Sequence, residues 1–221
     1  MSTIPEPNIV RSRRSSIQLS ISREGELLVK APFLAPKFVI MQFVNSKKDW
    51  IIKTLEKVGK RQVKEKNYKE GETFLFLGQE YTMQFYNGIK IVPKDGILYF
   101  PKALQFRIQK ELHTWYITQA KEIITKRVVN HAQKMHASYK SIFFSDTSSK
   151  WGTCFADNRL QFNWRLVMTP LMVLDYVVIH ELTHTTEKHH KVDFWRRVRQ
   201  FTPAYRQHRK WLEQHGHLLQ I

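Results

Sequence analysis

The run His180-Glu181-Leu182-Thr183-His184 restricts this chain more than any other stretch. Its chemistry works only on a helix. Residues four apart share one helical face, so His180 and His184 can both reach a single metal ion. Glu181 projects beside them, close enough to act on a metal-bound water without being a ligand. Two imidazoles on zinc with a carboxylate as general base is the chemistry this spacing serves. A shuffled chain with this histidine and glutamate content yields the pattern only a few hundredths of a time. A second pair, His189-His190, follows shortly and makes coincidence rarer still.

Thr169-Pro170 reads as the start of the motif helix, a hydroxyl N-cap followed by proline at the first helical position. Val177-Val178-Ile179 alone favours a strand through β-branching. The cap and the histidine spacing outweigh that vote, and so apolar a helix is expected to be buried. Past His184 the helix must stop within about two turns if a third imidazole is to return to the same metal. No glycine lies between 184 and 190 to ease the turn, so spacing leaves His189 and His190 both open as third ligand.

Before this helix the chain reads as two subdomains. Residues 1–16, with Pro5, Pro7 and the Arg11–Arg14 cluster, read as a flexible N-terminal arm. Ile17–Ile21 and Leu27–Lys30, across Gly25, alternate as a hairpin that Ala31-Pro32 closes. Trp50, Ile51, Leu55 and Val58 recur at helical spacing among lysines, predicting an exposed amphipathic helix over Asn45–Lys66. Phe74–Leu77 and Tyr81–Phe85 make a second hairpin around Gly78-Gln79. Ile89–Val92 and Ile97–Phe100 make a third around Pro93-Lys94-Asp95-Gly96. Residues 17–100 are therefore expected to form a strand-rich N-terminal layer without a catalytic cluster.

Pro101 opens the second subdomain, 101–221. Leu104, Ile108, Leu112, Trp115, Ala120 and Ile124 keep a helical period to about Met135. His113, His131 and His136 are too scattered along it for a metal set, and surface or capping roles are expected. Ser141–Phe144 and Arg159–Phe162 read as strands of a short antiparallel sheet, with a turn at Asp157-Asn158. Between them, Gly152 in Lys150-Trp151-Gly152-Thr153-Cys154-Phe155 permits a backbone twist or a close approach that a side chain would resist. Cys154 reads as a buried small hydrophobe ahead of a redox or ligand role. The fold class is α+β.

Hydrophobic content of 42% and charged content of 25% are ordinary, whereas a net charge of +17 is not. It predicts attraction to polyanions: nucleic acid, nucleotides, an anionic membrane surface or acidic substrates. It is spread over both halves of the chain. The single cysteine excludes an internal disulfide framework. The first thirty residues carry no apolar h-region, and the run Leu171–Ile179 is interrupted by Asp175 and too short to span a bilayer. A cytoplasmic protein without a membrane partner or an obligate protein partner is the expectation.

The stretch Trp151-Gly152-Thr153-Cys154, then Leu160-Gln161-Phe162-Asn163-Trp164-Arg165-Leu166, Pro170, Asp175 through His184, His190 and Phe194-Trp195 resembles the YgjP-like family of zincin metallopeptidases. The strand-rich half is similar in layout too. The resemblance implies a zincin-like catalytic core, one zinc ion per chain on His180, His184 and His190, and Glu181 as general base. Lys150, Thr153 and Lys191 depart from the family pattern without touching a ligand, and His189 is an unusual neighbour. Three neutral imidazoles leave zinc an open position for water. Lys150, His189 and Tyr205 are candidates for stabilising an oxyanion. Leu160–Trp164 is the expected edge strand for aligning a peptide, Phe194 and Trp195 are expected in the core, and Glu213 is a remote alternative ligand.

Three function classes stay open on these residues. One is a zinc peptidase acting on a peptide or protein. Another is a metal-dependent hydrolase of nucleoside triphosphates of the UTP type, which the charge suits although no glycine-rich phosphate loop is present. The last is a nucleic-acid-associated peptidase, suggested by Arg196, Arg197, Arg199, Arg206, Arg209 and Lys210.

Overall fold

Alternation at period two and a broken helical stripe build the first of two packed units, residues 1–64. The computed structural model describes residues 4–22, 25–59, 66–147 and 150–221. In the first unit, strands β1 (Asn8–Ser12), β2 (Gln18–Ile21) and β3 (Leu27–Pro32) lie in the order β1-β3-β2. β2 and β3 are the expected hairpin, antiparallel with Leu19 opposite Val29. β1 corrects the expectation of a flexible arm over 1–16: it runs parallel to β3, with Ile9 opposite Val29. The Arg11 guanidinium fastens it by donating to the carbonyls of Phe33 at 2.7 Å and Ala35 at 2.8 Å.

Leu27, Val29 and Ala31 of β3 pack with Ile40, Val44 and Ile51, the inward residues of α1 (Lys37–Ser46) and α2 (Lys48–Gly59). The single helix expected over 45–66 is thus two, separated at Lys47, whose φ of −108° and ψ of 15° leave the helical region. Ile51 is buried and Trp50 exposed, as an amphipathic face requires. Residues 60–65 of that expected helix lie outside the described residues.

The second unit spans 65–221. β4 (Thr73–Phe76) and β5 (Gln79–Tyr86) form one hairpin, β6 (Val92–Lys94) and β7 (Ile97–Pro101) another, in the order β4-β5-β7-β6. Asp95 and Gly96, at φ 51° and 75°, make the two-residue turn whose twist matches an antiparallel pair. The hairpins join through parallel pairing of β5 with β7. Ile89, expected in a strand, lies outside β6 and is exposed.

The boundary expected at Pro101 does not separate packed units, because this sheet shares its core with the long helix. A short 3-10 turn, Lys102–Arg107, leads into α3 (Ile108–Met135). Its residues Leu112, Tyr116, Ala120, Ile124 and Val128 recur every fourth position and pack into one cluster with Phe74, Met83, Leu98 and Phe100. The Tyr116 hydroxyl donates to the Leu75 carbonyl at 2.7 Å, satisfying a phenol that would otherwise be buried unpaired. Each fully buried side chain of this size contributes about 1.5–3 kcal/mol, so the sheet and helix stabilise each other.

Beyond α3, β8 (Ile142–Ser145), β9 (Gly152–Cys154) and β10 (Leu160–Asn163) form a sheet in the order β8-β10-β9. It is mixed rather than antiparallel as expected, with β10 parallel to β8 and antiparallel to β9. β10 is therefore the centre strand, which overturns its expected role as an edge. A 3-10 turn over Trp164–Met168 then delivers the chain to α4 (Leu171–Thr183). The N-H groups of Leu77 and Gly78, at the tip of the β4–β5 hairpin, donate to Val167 and Met168 of that turn at 2.8 and 3.1 Å. Thr169 does not cap α4. Its hydroxyl donates to the Leu166 carbonyl at 2.8 Å, and Pro170 holds the cap position. α5 (Val192–Phe201) and α6 (Tyr205–His215) complete the unit and pack on α4.

Candidate metal centre

Nine residues of α4, Glu181 among them, are buried, and Tyr176, Val177, His180 and Glu181 line a cleft. His180 and His184 stand one turn apart. The turn that follows brings His190 back without glycine and without a positive φ. Threonines do the work. Thr183, Thr185 and Thr186 return their hydroxyls to the carbonyls of Ile179, Leu182 and Thr183 at 2.7, 2.7 and 3.3 Å. The Glu187 N-H also donates to the Thr183 carbonyl at 2.9 Å. The bonds to Leu182 and Thr183 satisfy orphan carbonyls of the last helical turn, the role a glycine cap normally fills.

His190 Nε2 lies 3.1 Å from His184 Nε2 and 3.1 Å from His180 Nε2. Nitrogens held about 2.0–2.1 Å from one tetrahedral zinc sit about 3.3 Å from each other, so the spacing fits a shared ion. The tautomer fits as well at His184, whose Nδ1 faces the Glu187 carbonyl at 3.0 Å and leaves Nε2 free to coordinate. Burial first, then the charges of His184, His190 and Arg209, push His180 down to about 3, which keeps its imidazole neutral. Burial likewise lowers His184. Among the described residues these three are the one His/Cys/Asp/Glu group able to hold a metal. His189 is exposed and outside the group. Glu213 is outside it too and pairs with Arg209 at 3.0 Å.

Glu181 is 6% exposed, on the buried side of the same helical turn. Desolvation pushes its carboxyl up to about 8, against a backbone N-H bond from Cys154 and the Lys150 ammonium, both of which favour the charged form. Gly152 makes the fit possible. A Cβ there would stand 2.6 Å from both Cγ and Oε1 of Glu181, so the close approach expected at this glycine is to the candidate base itself. Cys154 contributes its backbone, while its thiol is half-buried and raised chiefly by that burial.

Phe194 is wholly buried and lies beneath all three imidazoles, with ring centroids 4.9, 4.5 and 4.6 Å from His180, His184 and His190. The core role expected for it is a floor for the donor set. Trp195 differs from that expectation: it stacks on His190 at 5.6 Å and lines the cleft. This cleft has a volume of about 610 Å³. Lys150, Trp151 and Gly152 line one part of it, and Tyr176, Arg209 and Leu212 another. Of the oxyanion candidates, Lys150 lines the cleft, whereas Tyr205 stacks on Trp195 without lining it and His189 is exposed. Tyr176 and Arg209 were not legible as site residues. Tyr176 precedes His180 by one helical turn and so carried a signal, but Arg209 arrives from a separate helix.

Three imidazoles converging on a point, a carboxylate beside them and a cleft in front define a metal-dependent hydrolase. Residues 15–215 match the model of the YgjP-like metallopeptidase domain, and the chain belongs to that family. No curated protein and no solved structure matches it. Among the described residues no helix is long and apolar enough to cross a membrane.

Proposed function

We propose that the chain is a zinc-dependent metallopeptidase with a zincin-like core, in which His180, His184 and His190 hold one zinc ion and Glu181 is the general base. The observation that carries this reading is the convergence of three Nε2 atoms beside a buried carboxylate. When bound, zinc supplies Lewis acidity that acidifies a water and polarises a carbonyl. Glu181 accepts the proton of the attacking water and returns it to the leaving amine. The Cys154 N-H holds the carboxylate in place for both transfers. Lys150, Tyr176 and Arg209, all lining the cleft, are groups available to stabilise a developing oxyanion. β9, the edge strand against α4, takes over from β10 the role of aligning a peptide through main-chain bonds.

A second reading, hydrolysis of a nucleoside triphosphate, draws on Lys150 and Arg209 in the same cleft. Zinc-replete protein assayed against a peptide library and against nucleoside triphosphates decides between them. The peptidase reading expects cleaved peptides that vanish with chelator and return with zinc. Turnover of triphosphates alone overturns it.

A further inference from the structure

A second groove, of about 430 Å³, shares Trp195 with the cleft and is lined otherwise by Val192, Arg196, Arg199, Pro203, Tyr205 and Arg206. Trp195 lines both, and it stacks on His190 of the donor set and on Tyr205 of this groove. A chain that leaves the metal centre over Trp195 meets this groove.

Its charge is unbalanced. Arg196 pairs with Asp193 at 2.7 Å, an exposed pair of little strength. Arg199 and Arg206 form no ion pair among the described residues, and Arg206 instead sits over the Tyr205 ring at 5.7 Å with its Nε 3.2 Å from the hydroxyl. The helix pair explains the clustering: Arg196 and Arg199 are three apart on α5, and Arg206 faces them from the first turn of α6. A third groove, which shares Lys150 and Gly152 with the cleft, is lined otherwise by Ser145, Thr147, Thr153, Phe155 and Gln161, so Lys150 is its one charged group. The groove beside Trp195 therefore carries three cations to that groove's one.

We infer that the arginine groove is a specificity subsite for acidic residues of a peptide substrate on the Trp195 side of the scissile bond. This rests on the peptidase reading and names its substrate class. Guanidinium forks match carboxylates in geometry. A single-stranded nucleic acid fits the groove less well, because Trp195 and Tyr205 already stack on each other, at 5.2 Å and 22°, and do not offer a pair of free faces to bases.

The test uses zinc-loaded Glu181→Gln protein, which holds a peptide without turning it over. A fluorescent peptide with a glutamate block on one side of a neutral core is compared by anisotropy with the same peptide carrying glutamine. The acidic peptide is expected to bind about tenfold tighter, with the preference shrinking at high salt and abolished by Arg199→Glu with Arg206→Glu. The same double change in the parent background should leave cleavage of the neutral peptide unaltered and lower kcat/KM only for the acidic one. Equal binding of the two peptides, or a preference that survives the double change, overturns the inference. So does a single-stranded oligonucleotide of equal charge that binds tighter than the acidic peptide through the same two arginines. Cleavage of the neutral peptide by the parent reports separately on the peptidase reading, so the two can fail independently.

Discussion

At the scale of single residues, the site is a carboxylate stored at a cost. Glu181 has a folded pKa near 8 and an unfolded one in the ordinary range near 4.3. Between those values the metal-free native state holds a proton that the unfolded chain has lost, so stability falls as pH rises through that window. Glu181→Gln removes the penalty while keeping the shape. Metal-free Glu181→Gln is therefore expected to melt higher than the parent at pH 8, by a few kcal/mol at most, with the difference closing below pH 5. In the zinc-loaded enzyme the same change should keep the metal and cost about 10²–10⁴-fold in turnover. Calorimetry of the metal-free pair and kinetics of the loaded pair check the two halves, and equal turnover rules out the assigned role. Gly152→Ala probes the same carboxylate from the other side. Its methyl group would overlap Glu181 at 2.6 Å, so kcat should drop by about 10²-fold while zinc content holds. Unchanged kcat means that β9 yields and Glu181 stays in place.

At the scale of elements, what the sequence made legible and what it hid divide by range. Period-two and period-four patterns are local, so the β2–β3, β4–β5 and β6–β7 hairpins, α3 and the motif helix could be read within a residue or a few of where they lie. Pairings between distant segments were hidden. β1 with β3, β5 with β7 and β10 with β8 are parallel, and nothing in a strand's own residues names a parallel partner. β9 is only three residues long, too short for alternation to register. The site divides the same way: the histidine spacing and the close approach at Gly152 were legible, whereas Arg209 comes from α6 and no local pattern points to the cleft. His131 shows the cost of reading one helix alone. Expected at the surface or in a cap, it instead bonds Asp175 of α4 at 3.1 Å, beside the Arg127 Nε bond of 2.6 Å to the same carboxylate. Burial alone would raise Asp175, but the His131 and Arg127 bonds and charges hold it below the ordinary carboxylate range. Stability from this tie is present above the unfolded pKa of about 3.9 and is lost as pH falls through the lower folded value. Asp175→Asn should therefore cost about 1–3 kcal/mol at pH 7, less than a fully buried pair because Arg127 keeps some solvent. Denaturant titrations of both proteins at pH 7 and pH 3 test this, and a difference that persists unchanged at pH 3 removes the carboxylate from the account.

At the scale of the whole molecule, the metal centre ties together pieces that the sequence separates. His180 and His184 belong to α4, which packs against α3, β9, α5 and α6, while His190 lies on the turn that leads into α5. An ion shared by the three would clamp that turn to the buried helix, and Phe194, four residues past His190, would be fixed under it. Binding to the native state alone stabilises by mass action, about 4 kcal/mol when free zinc exceeds its dissociation constant a thousandfold. Stripping the metal should therefore lower the melting temperature of the second unit by several degrees, and adding back zinc should restore it. The same measurement identifies the third ligand. His190→Ala should abolish the zinc-dependent rise, because a two-imidazole site loses far more affinity than the 10–100-fold that follows loss of a supporting hydrogen bond. His189→Ala should retain the rise in full, since that imidazole is exposed and outside the converging set. If His189→Ala loses the zinc-dependent shift and His190→Ala keeps it, the turn after α4 presents the other histidine in solution and the register of the donor set is wrong.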